Sequence, residues 1–460
     1  MPGTFDSMRM KLSGLAASLL LISGFVSAQE SVLISNARLV IGDGSVIESG
    51  SLLIEDGAIS AVGDGAINAP NSVRVIDGSG KTVIPALIDG HAHLGYEAAG
   101  VWGGHNYTPE TLRENLEQYA WYGFAAAFSA GSDPDIMAQE FQRTQGEAYP
   151  DAARLLFAAG MGPDGQGPND TFLTEVVEVE ERTGQTILRG LTGPEQAAMQ
   201  AREVADRGIS FIKIWVDDRG GSQAKLAPEL YRPLIAESER LGVKVFVHHQ
   251  FPEDMPDLLE AGAAGFLHGR FGDAYTDEIA QQTAAAGAFV IPNLGLGELR
   301  REAIGDDPFL RAVMPVEAAN ALAGPDSERQ ASVTRDASRE ASLSASLARL
   351  LDAGVDIVLG TDAGPLPGHP FGYSGHRELE IYVRLGMTPM QALVAATSAA
   401  ARHLDLDDLG LLAPGYSASL VILSANPLED IRNTRSIEQV FLSGREIDRE
   451  AIAARLSASP

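Results

Sequence analysis

Two histidines at a spacing of two residues are the first sign of chemistry in this sequence. His91 and His93 follow the apolar run 82–88. An extended backbone points side chains two residues apart to the same side, so one divalent ion could bind both imidazoles. Paired histidines also occur in loops that bind no metal, so this motif alone leaves the question open.

Three further side chains occupy comparable places. His248 and His268 each end an apolar segment, and Asp362 directly follows another. Taken singly, each histidine could be structural and Asp362 could cap a helix. Taken together, they indicate one site, because active sites of parallel barrels form at the carboxyl ends of the strands.

Lys213 is a cation inside an otherwise apolar segment, residues 209–216. Burying an ammonium group is costly unless something neutralises it. A lysine carboxylated by carbon dioxide would be an anionic oxygen ligand able to bridge two cations. A lysine paired with a carboxylate of the barrel is the alternative.

Short apolar strands that alternate with amphipathic helices would position these residues. A helix is expected after Thr108, which caps it, with Pro109 in its first turn. Residues 160–193 are rich in Gly, Pro, Asp and Thr and predict a long loop, and residues 306–349 predict a mostly helical insertion. The eight expected strands are 82–88, 123–129, 155–159, 211–216, 243–248, 265–268, 288–294 and 355–361. This rhythm predicts the α/β class and a (β/α)8 TIM barrel, with an open doubly wound sheet as the competing fold.

Both ends of the chain contain strand and hairpin signals of a different kind. They predict one small β-sandwich domain that is formed by both chain ends. The expected divisions are a signal peptide at 1–28, the first part of the β-sandwich at 29–82, the barrel at 83–407 and the second part of the β-sandwich at 408–460.

The first residues have the basic, apolar and small-residue regions of a secretory signal, with cleavage after Ala28. The apolar run is shorter than the roughly 20 residues that span a bilayer, which disfavours the alternative of a membrane anchor. We therefore expect an exported protein, periplasmic or secreted, without stable membrane insertion. The chain has no cysteine, which excludes thiolate chemistry, and its net charge of -28 disfavours nucleic acid as a partner.

Several motifs together resemble the amidohydrolase superfamily over nearly all of the chain after the signal. Within that superfamily the chain is most similar to the branch with two metal ions and a carboxylated lysine, which includes imidazolonepropionase-like and Xaa-Pro dipeptidase-like enzymes. The matching motifs are Pro85-Ala-Leu-Ile-Asp-Gly-His-Ala-His93, Phe211-Ile-Lys-Ile-Trp215, Val247-His248, Phe266-Leu-His268, Gly360-Thr-Asp362-Ala-Gly364 and Asn426-Pro-Leu-Glu-Asp430.

The resemblance implies a role for each candidate residue. One of two divalent ions, with zinc the expected metal, would have as its ligands His91, His93 and Asp362. The other ion would be held by His248 and His268, and carboxylated Lys213 would bridge the two. Deaminase-like members instead carry a glutamate three residues after the histidine of the fifth strand. Here that position is Phe251, which argues against deamination.

The expected reaction is hydrolysis of an amide or peptide bond in a small molecule, of the dipeptide or N-acyl amino acid type. Two ions that share a water would lower its pKa, so that hydroxide can attack a carbonyl, with Asp362 as the proton shuttle. A lactone or phosphotriester hydrolase with the same site, and an exported binding protein without catalysis, are the alternatives. A homo-oligomer is also left open.

Further residues are expected to assist that site. Asp89 and Thr361 are candidates to orient the imidazole ligands. An arginine is expected to hold a substrate carboxylate. The candidates for substrate contact are Arg219, Arg270, Tyr231, Tyr373, His376 and Arg377.

Overall fold

The computed structural model describes residues 3, 30–249, 251–268, 275–324, 329–330 and 334–458. The expected signal peptide therefore lies outside the described residues, apart from Gly3, and so does the candidate Arg270. Across the described residues, no helix combines the length and the apolar character that crossing a membrane requires.

Strands and helices alternate through most of the chain. The strands are β1 (Val32–Val40), β2 (Val46–Glu55), β3 (Ala58–Asp64), β4 (Arg74–Asp77), β5 (Thr82–Pro85), β6 (Leu87–Ala92), β7 (Glu97–Ala98), β8 (Val101–Trp102), β9 (Phe124–Ser129), β10 (Arg154–Phe157), β11 (Ala159–Pro163), β12 (Leu188–Leu191), β13 (Phe211–Val216), β14 (Lys244–His249), β15 (Gly265–Leu267), β16 (Phe289–Ile291), β17 (Leu420–Leu423), β18 (Ile437–Leu442) and β19 (Arg445–Glu446). The helices are α1 (Pro109–Trp121), α2 (Asp135–Ala148), α3 (Asp170–Thr183), α4 (Pro194–Asp206), α5 (Pro228–Arg240), α6 (Met255–Ala261), α7 (Asp277–Ala285), α8 (Leu296–Leu299), α9 (Pro308–Arg311), α10 (Val316–Ala321), α11 (Ala337–Asp352), α12 (Tyr373–Arg384), α13 (Pro389–Ala395), α14 (Ser398–His403) and α15 (Arg449–Ala458).

The two ends of the chain share one mixed sheet of eight strands, in the order β19-β18-β17-β5-β1-β2-β3 with β4 also paired to β1. The antiparallel pair of β17 with β5 joins the two ends directly. Buried side chains such as Ile34, Leu52, Leu420 and Phe441 form its own hydrophobic cluster. The structure thus confirms a β layer that both chain ends build, and β5 spans the expected boundary between residues 82 and 83.

The parallel strands form the barrel. One run joins β6, β9 and β10, and a second joins β11, β13, β14, β15 and β16. Only Ala158 separates β10 from β11, so these two form one passage of the barrel wall. Bridges from Val290 to Ile357 and from Ala363 to Ala92 connect β16 back to β6 through residues 357–363. The (β/α)8 barrel is therefore confirmed.

Aromatic side chains fill the barrel below its carboxyl end. The rings of Phe128 and Phe246 have centroids 5.4 Å apart, and that of Phe289 lies 5.0 Å from Phe246. Phe211 packs against both Phe128 and Phe246. Because side chains two residues apart on a strand share a face, Lys213 stands on the same side of β13 as Phe211, one step nearer the carboxyl end.

Three sequence expectations differ from the structure. The expected strand 82–88 is split at Ala86, because β5 belongs to the mixed sheet and β6 to the barrel. The expected loop 160–193 was wrong: it contains most of β11, all of α3 and β12. Residues 355–361, expected as a strand, have no continuous strand pairing: Ile357 forms an isolated bridge with Val290, and separate backbone hydrogen bonds, such as that from Gly90 N–H to the Leu359 carbonyl, complete the connection. The helix expected after Thr108 is confirmed as α1, and Thr108 accepts a hydrogen bond from the backbone N–H of Thr111.

A local reason explains the error in the loop. The side chain of Asn169 caps α3 by accepting from the backbone N–H of Phe172, and Phe172, Val176 and Val179 are buried along one face of that helix. Three apolar residues at helical spacing hold α3 on the barrel although the surrounding composition is typical of a loop.

Candidate active site

Asp362 lies among three imidazoles at the carboxyl end of the barrel. Its Oδ1 is 3.5 Å from His91 Nε2 and 3.3 Å from His93 Nε2, and its Oδ2 is 3.8 Å from His268 Nδ1. His91, His268 and Asp362 each offer a ligand atom within 4.8 Å of the others, a grouping that could hold a metal ion. The structure thus brings together four candidates from three distant parts of the sequence.

His248 and Lys213 join this group from the neighbouring strands β14 and β13. The His248 and His268 rings have centroids 4.5 Å apart. Lys213 is 1% exposed. Burial lowers its pKa to about 7, although the negative charge of Asp362 acts in the opposite direction. All six candidate residues therefore lie at the same end of the barrel.

The protonation states suit a cation. Burial lowers the pKa values of His91, His248 and His268 well below the ordinary value, so these imidazoles are neutral at pH 7. Burial alone would raise the pKa of Asp362, but the surrounding imidazoles hold it well below its usual range. Neutral imidazoles around an ionised carboxylate are a typical donor set for zinc.

Two hydrogen bonds that sequence reasoning missed orient the imidazoles. His91 Nδ1 lies 3.0 Å from Asn293 Oδ1, and His93 Nδ1 lies 2.9 Å from Ser132 Oγ. With Nδ1 donating, each Nε2 carries a free lone pair. His91 Nε2 is buried and has no hydrogen-bond partner among the described residues, which fits a metal ligand and would otherwise be an unsatisfied buried group.

His248 has a different orientation partner, Asp217. Its Nε2 is 2.8 Å from Asp217 Oδ2, so Nδ1 is the ring nitrogen left for an ion. Arg219 Nη1 donates to the same carboxylate oxygen at 3.1 Å, and Arg219 Nη2 donates to the carbonyl of Gly167 at 2.7 Å. The guanidinium of Arg219 is therefore already hydrogen-bonded within the protein, and it holds Asp217 in place.

Asp89 and Thr361, the two residues expected to orient the imidazoles, act instead on the backbone. Asp89 Oδ1 accepts from the N–H groups of His91 and Thr361, each at 3.1 Å. Asp89 Oδ2 accepts from the hydroxyls of Thr361 and Tyr119, each at 2.7 Å. Asp89 therefore ties the strand that carries His91 to the segment that carries Asp362.

Several residues of the site have left-handed backbone conformations, which are unusual for side chains other than glycine. The φ angles are 58° at His268, 57° at Asp362 and 47° at Asn293. Such conformations cost about 1–3 kcal/mol each and concentrate at functional sites. Here they turn the chain sharply where the barrel segments end.

A cleft of about 390 Å³ opens over these residues. Arg219 and Arg300 line it together with His93, His248, His268 and Asp362, and its apolar lining includes Phe172, Trp215, Leu296 and Leu366. No sequence pattern singles out Arg300, which follows the short helix α8.

Four of the six residues expected to contact substrate do not line this cleft. Tyr231 donates to Asp257, and Tyr373 donates to Asp307 at 2.9 Å. The ring nitrogens of His376 lie 2.9 Å from Thr434 Oγ1 and from the carbonyl of Tyr122, and Arg377 binds Glu302 at 2.6 Å. These four have structural partners away from the cleft. Arg219 lines it, and Arg270 lies outside the described residues.

Comparison with known proteins finds similar sequences. Imidazolonepropionase of Salinispora arenicola (strain CNS-205) is 26% identical over 421 residues, covering 85% of this chain and 90% of the relative. The 5-methylthioadenosine/S-adenosylhomocysteine deaminase of Carboxydothermus hydrogenoformans (strain ATCC BAA-161 / DSM 6008 / Z-2901) is 24% identical over 427 residues, covering 86% of this chain and 84% of the relative.

Solved structures share the fold. Molinate hydrolase aligns with a TM-score of 0.71 and 22% identity, covering 92% of this chain and 96% of the other. A Xaa-Pro dipeptidase with bound methionine in its active site aligns with a TM-score of 0.69 and 22% identity, covering 91% of this chain and 100% of the other. The model of the amidohydrolase family matches residues 82–447. The chain therefore belongs to the amidohydrolase family and is a hydrolase, as its strand-end residues predict.

Proposed function

We propose that this enzyme hydrolyses an amide or peptide bond in a dipeptide or an N-acyl amino acid, and that it does so with two divalent metal ions. The observation that carries the proposal is the arrangement of neutral imidazoles around the ionised carboxylate of Asp362. The unpartnered, buried Nε2 of His91 supports it.

The residues divide between the two ions as the family resemblance implies. His91, His93 and Asp362 would hold one ion, His248 and His268 the other, and a carboxylated Lys213 would lie between them. Zinc is the metal we expect, since imidazole and carboxylate ligands suit it. Bound divalent ions lower the pKa of water and polarise a carbonyl group.

Asp362 and its neighbours then handle the proton. Because its pKa is held well below the usual range, Asp362 is ionised at neutral pH and can accept a proton from the attacking water. An amine is a poor leaving group unless it is protonated, so Asp362 would return that proton to the departing nitrogen. Asn293 and Ser132 keep the His91 and His93 rings in one orientation while this happens.

Relatives support cleavage of a carbon–nitrogen bond without naming one substrate. Imidazolonepropionases and a deaminase are among the similar sequences, and a Xaa-Pro dipeptidase shares the fold. Deamination is not the reaction that we propose. Phe251, which is 39% exposed, occupies the position where deaminase-like members carry a glutamate.

A substrate panel on metal-free and metal-loaded enzyme tests the proposal. The protein is stripped with a chelator and reloaded with zinc, then assayed on dipeptides, N-acyl amino acids, lactones and phosphotriesters. Zinc-dependent release of an amine from the first two classes, lost in Asp362→Asn, is the expected result. Preference for lactones or phosphotriesters would overturn the amide assignment, and absence of any metal-dependent hydrolysis would favour a binding protein.

We also propose that the enzyme is exported, with cleavage after Ala28. The basic and apolar regions of residues 8–25 support this. Sequencing the amino terminus of the protein from its native host checks it, since a mature chain that begins at Gln29 is expected and retention of residues 1–28 would contradict it.

A further inference from the structure

Within the described part of the chain, Arg300 and Arg219 are the two arginines that line the cleft. Arg300 follows α8 and lines the same cavity as His268 and Asp362. Leu296, at the start of α8, lines the cavity beside it. Arg300 also borders a second cavity of about 580 Å³ that includes His268. A guanidinium at this junction can reach a ligand that is bound over the metal site.

Among the residues that the structure describes, no carboxylate pairs with Arg300, and its buried Nε has no hydrogen-bond partner. Neighbouring arginines differ. Arg335 and Arg384 both bind Glu298, each with a contact of 2.7 Å, although Glu298 is only two residues from Arg300 in the sequence. Arg219 is bound by Asp217. The carboxylates of Glu298 and Asp217 are thus already paired with other arginines.

An arginine stays charged in proteins, so a partly buried guanidinium without an anion carries an uncompensated desolvation cost. Two described carboxylates line the cleft, and both already have partners: Asp362 faces three imidazoles, and Asp217 binds His248 and Arg219. The charge of Asp362 would be further offset by any bound cation. Among the described residues of the cleft, Arg300 is therefore the one with free capacity for two parallel hydrogen bonds to a carboxylate.

We propose that Arg300 binds the free α-carboxylate of the amino-acid part of the substrate. The proposal rests on the amide hydrolase function and narrows it to substrates that end in a free amino acid. The side chain next to that carboxylate would be apolar, because Phe172, Trp215, Leu296 and Leu366 line the same cleft. Arg219, by contrast, is a positioning residue that acts through Asp217 on His248.

A pair of small ligands tests the proposal without any hydrolysis. L-Leucine and 3-methylbutylamine, which is the same molecule without its carboxylate, are titrated by calorimetry into the zinc-loaded enzyme. Wild type should bind L-leucine at least about tenfold more tightly. Arg300→Gln should lose about 10- to 100-fold in affinity for L-leucine, as expected for a charged bidentate contact, and keep its affinity for the amine.

Arg301→Gln is the matched control. Arg301 is adjacent in the sequence, is exposed and does not line the active-site cleft, so this variant should bind both ligands as wild type does. Zinc content and thermal unfolding, measured on both variants, should match wild type, which separates loss of a contact from loss of the fold.

The outcomes separate this proposal from the function on which it rests. If wild type prefers L-leucine and Arg300→Gln removes the preference, Arg300 is the carboxylate site, even if no amide in the panel is hydrolysed. If amides are hydrolysed but wild type shows no preference, or Arg300→Gln and Arg301→Gln lose equal affinity, the Arg300 proposal is wrong while the function stands.

Discussion

The hydroxyl of Ser132 should control how tightly the first metal ion binds, although Ser132 is not one of the proposed metal ligands. It lies 2.9 Å from His93 Nδ1, and both residues are buried, at 0% and 5% exposure. Ser132→Ala removes this one oxygen and leaves the backbone unchanged. The expected result is a folded enzyme whose zinc affinity falls at the site that includes His93.

The magnitude follows from the burial. A buried N–H that loses its acceptor costs about 1–3 kcal/mol. Since about 1.4 kcal/mol corresponds to a tenfold change in Kd, zinc should bind about 10- to 100-fold more weakly. Partners of ligand imidazoles commonly have effects of that size.

Competition between the apo-enzyme and a chromophoric chelator measures both zinc affinities. Ser238→Ala is the matched control, because Ser238 is also fully buried and donates to the carbonyl of Leu234 at 2.8 Å within α5, away from the cleft. The control should keep both affinities within about twofold. Zinc affinities in Ser132→Ala that equal those of the control would refute the orientation of His93 by Ser132.

Three more predictions concern the lysine, an ion-pair cluster and pH. Lys213→Ala should bind at most one zinc ion and lose more than about 100-fold in kcat/KM, and metal analysis showing two bound ions would contradict the bridging role. Arg377→Ala should lower the free energy of unfolding in urea by about 3 kcal/mol, because it leaves Glu302 without its ion-pair partner. KM should not change, because this ion pair lies away from the cleft, and an altered KM would contradict that placement. Hydrogen bonds from His403, which has the larger effect, and from Arg402 lower the pKa of Asp356 from 3.8 to about 2. The folded pKa is the lower one, so the stabilisation is present above pH 4 and is lost as the pH falls from 4 to 2. Asp356→Asn should therefore lower the free energy of unfolding by about 1 kcal/mol at pH 6, a value reduced because the ion pairs of Asp356 are partly exposed, and should change it very little near pH 2. Urea unfolding at the two pH values measures this, and a difference that is independent of pH would contradict the assignment.

The parts that sequence predicts well are those with strong local signals. His91, His248 and His268 stand at the ends of short apolar segments, and parallel strands bring such ends together wherever the barrel closes. Lys213 could be singled out because a cation in a buried strand needs an explanation, and the structure indeed buries it. The chemistry of these residues is therefore visible before the fold is known.

The residues that escaped prediction depend on distances across the barrel. Asn293 and Ser132 lie in segments that follow β16 and β9 and reach His91 and His93 from there, and no sequence spacing relates them. The free guanidinium of Arg300 is recognisable only once Glu298 is seen to bind other arginines. Likewise Arg377, expected in the cleft, is held elsewhere by Glu302. Which arginine is free to bind a ligand depends on ion pairs between distant loops, and no local pattern in a single sequence predicts those pairs.

The direct pairing of the two chain ends sets an order on folding. Strand β5 has β1 on one side, and its other side is covered only by β17, from Pro85 opposite Leu420 to Thr82 opposite Leu423. While the chain is being made, that edge has no partner until nearly the whole barrel has been synthesised. An open apolar strand edge is a template for pairing between molecules. Pairing of β17 with β5 thus covers this edge, and the newly made protein is prone to aggregation until β17 has been synthesised.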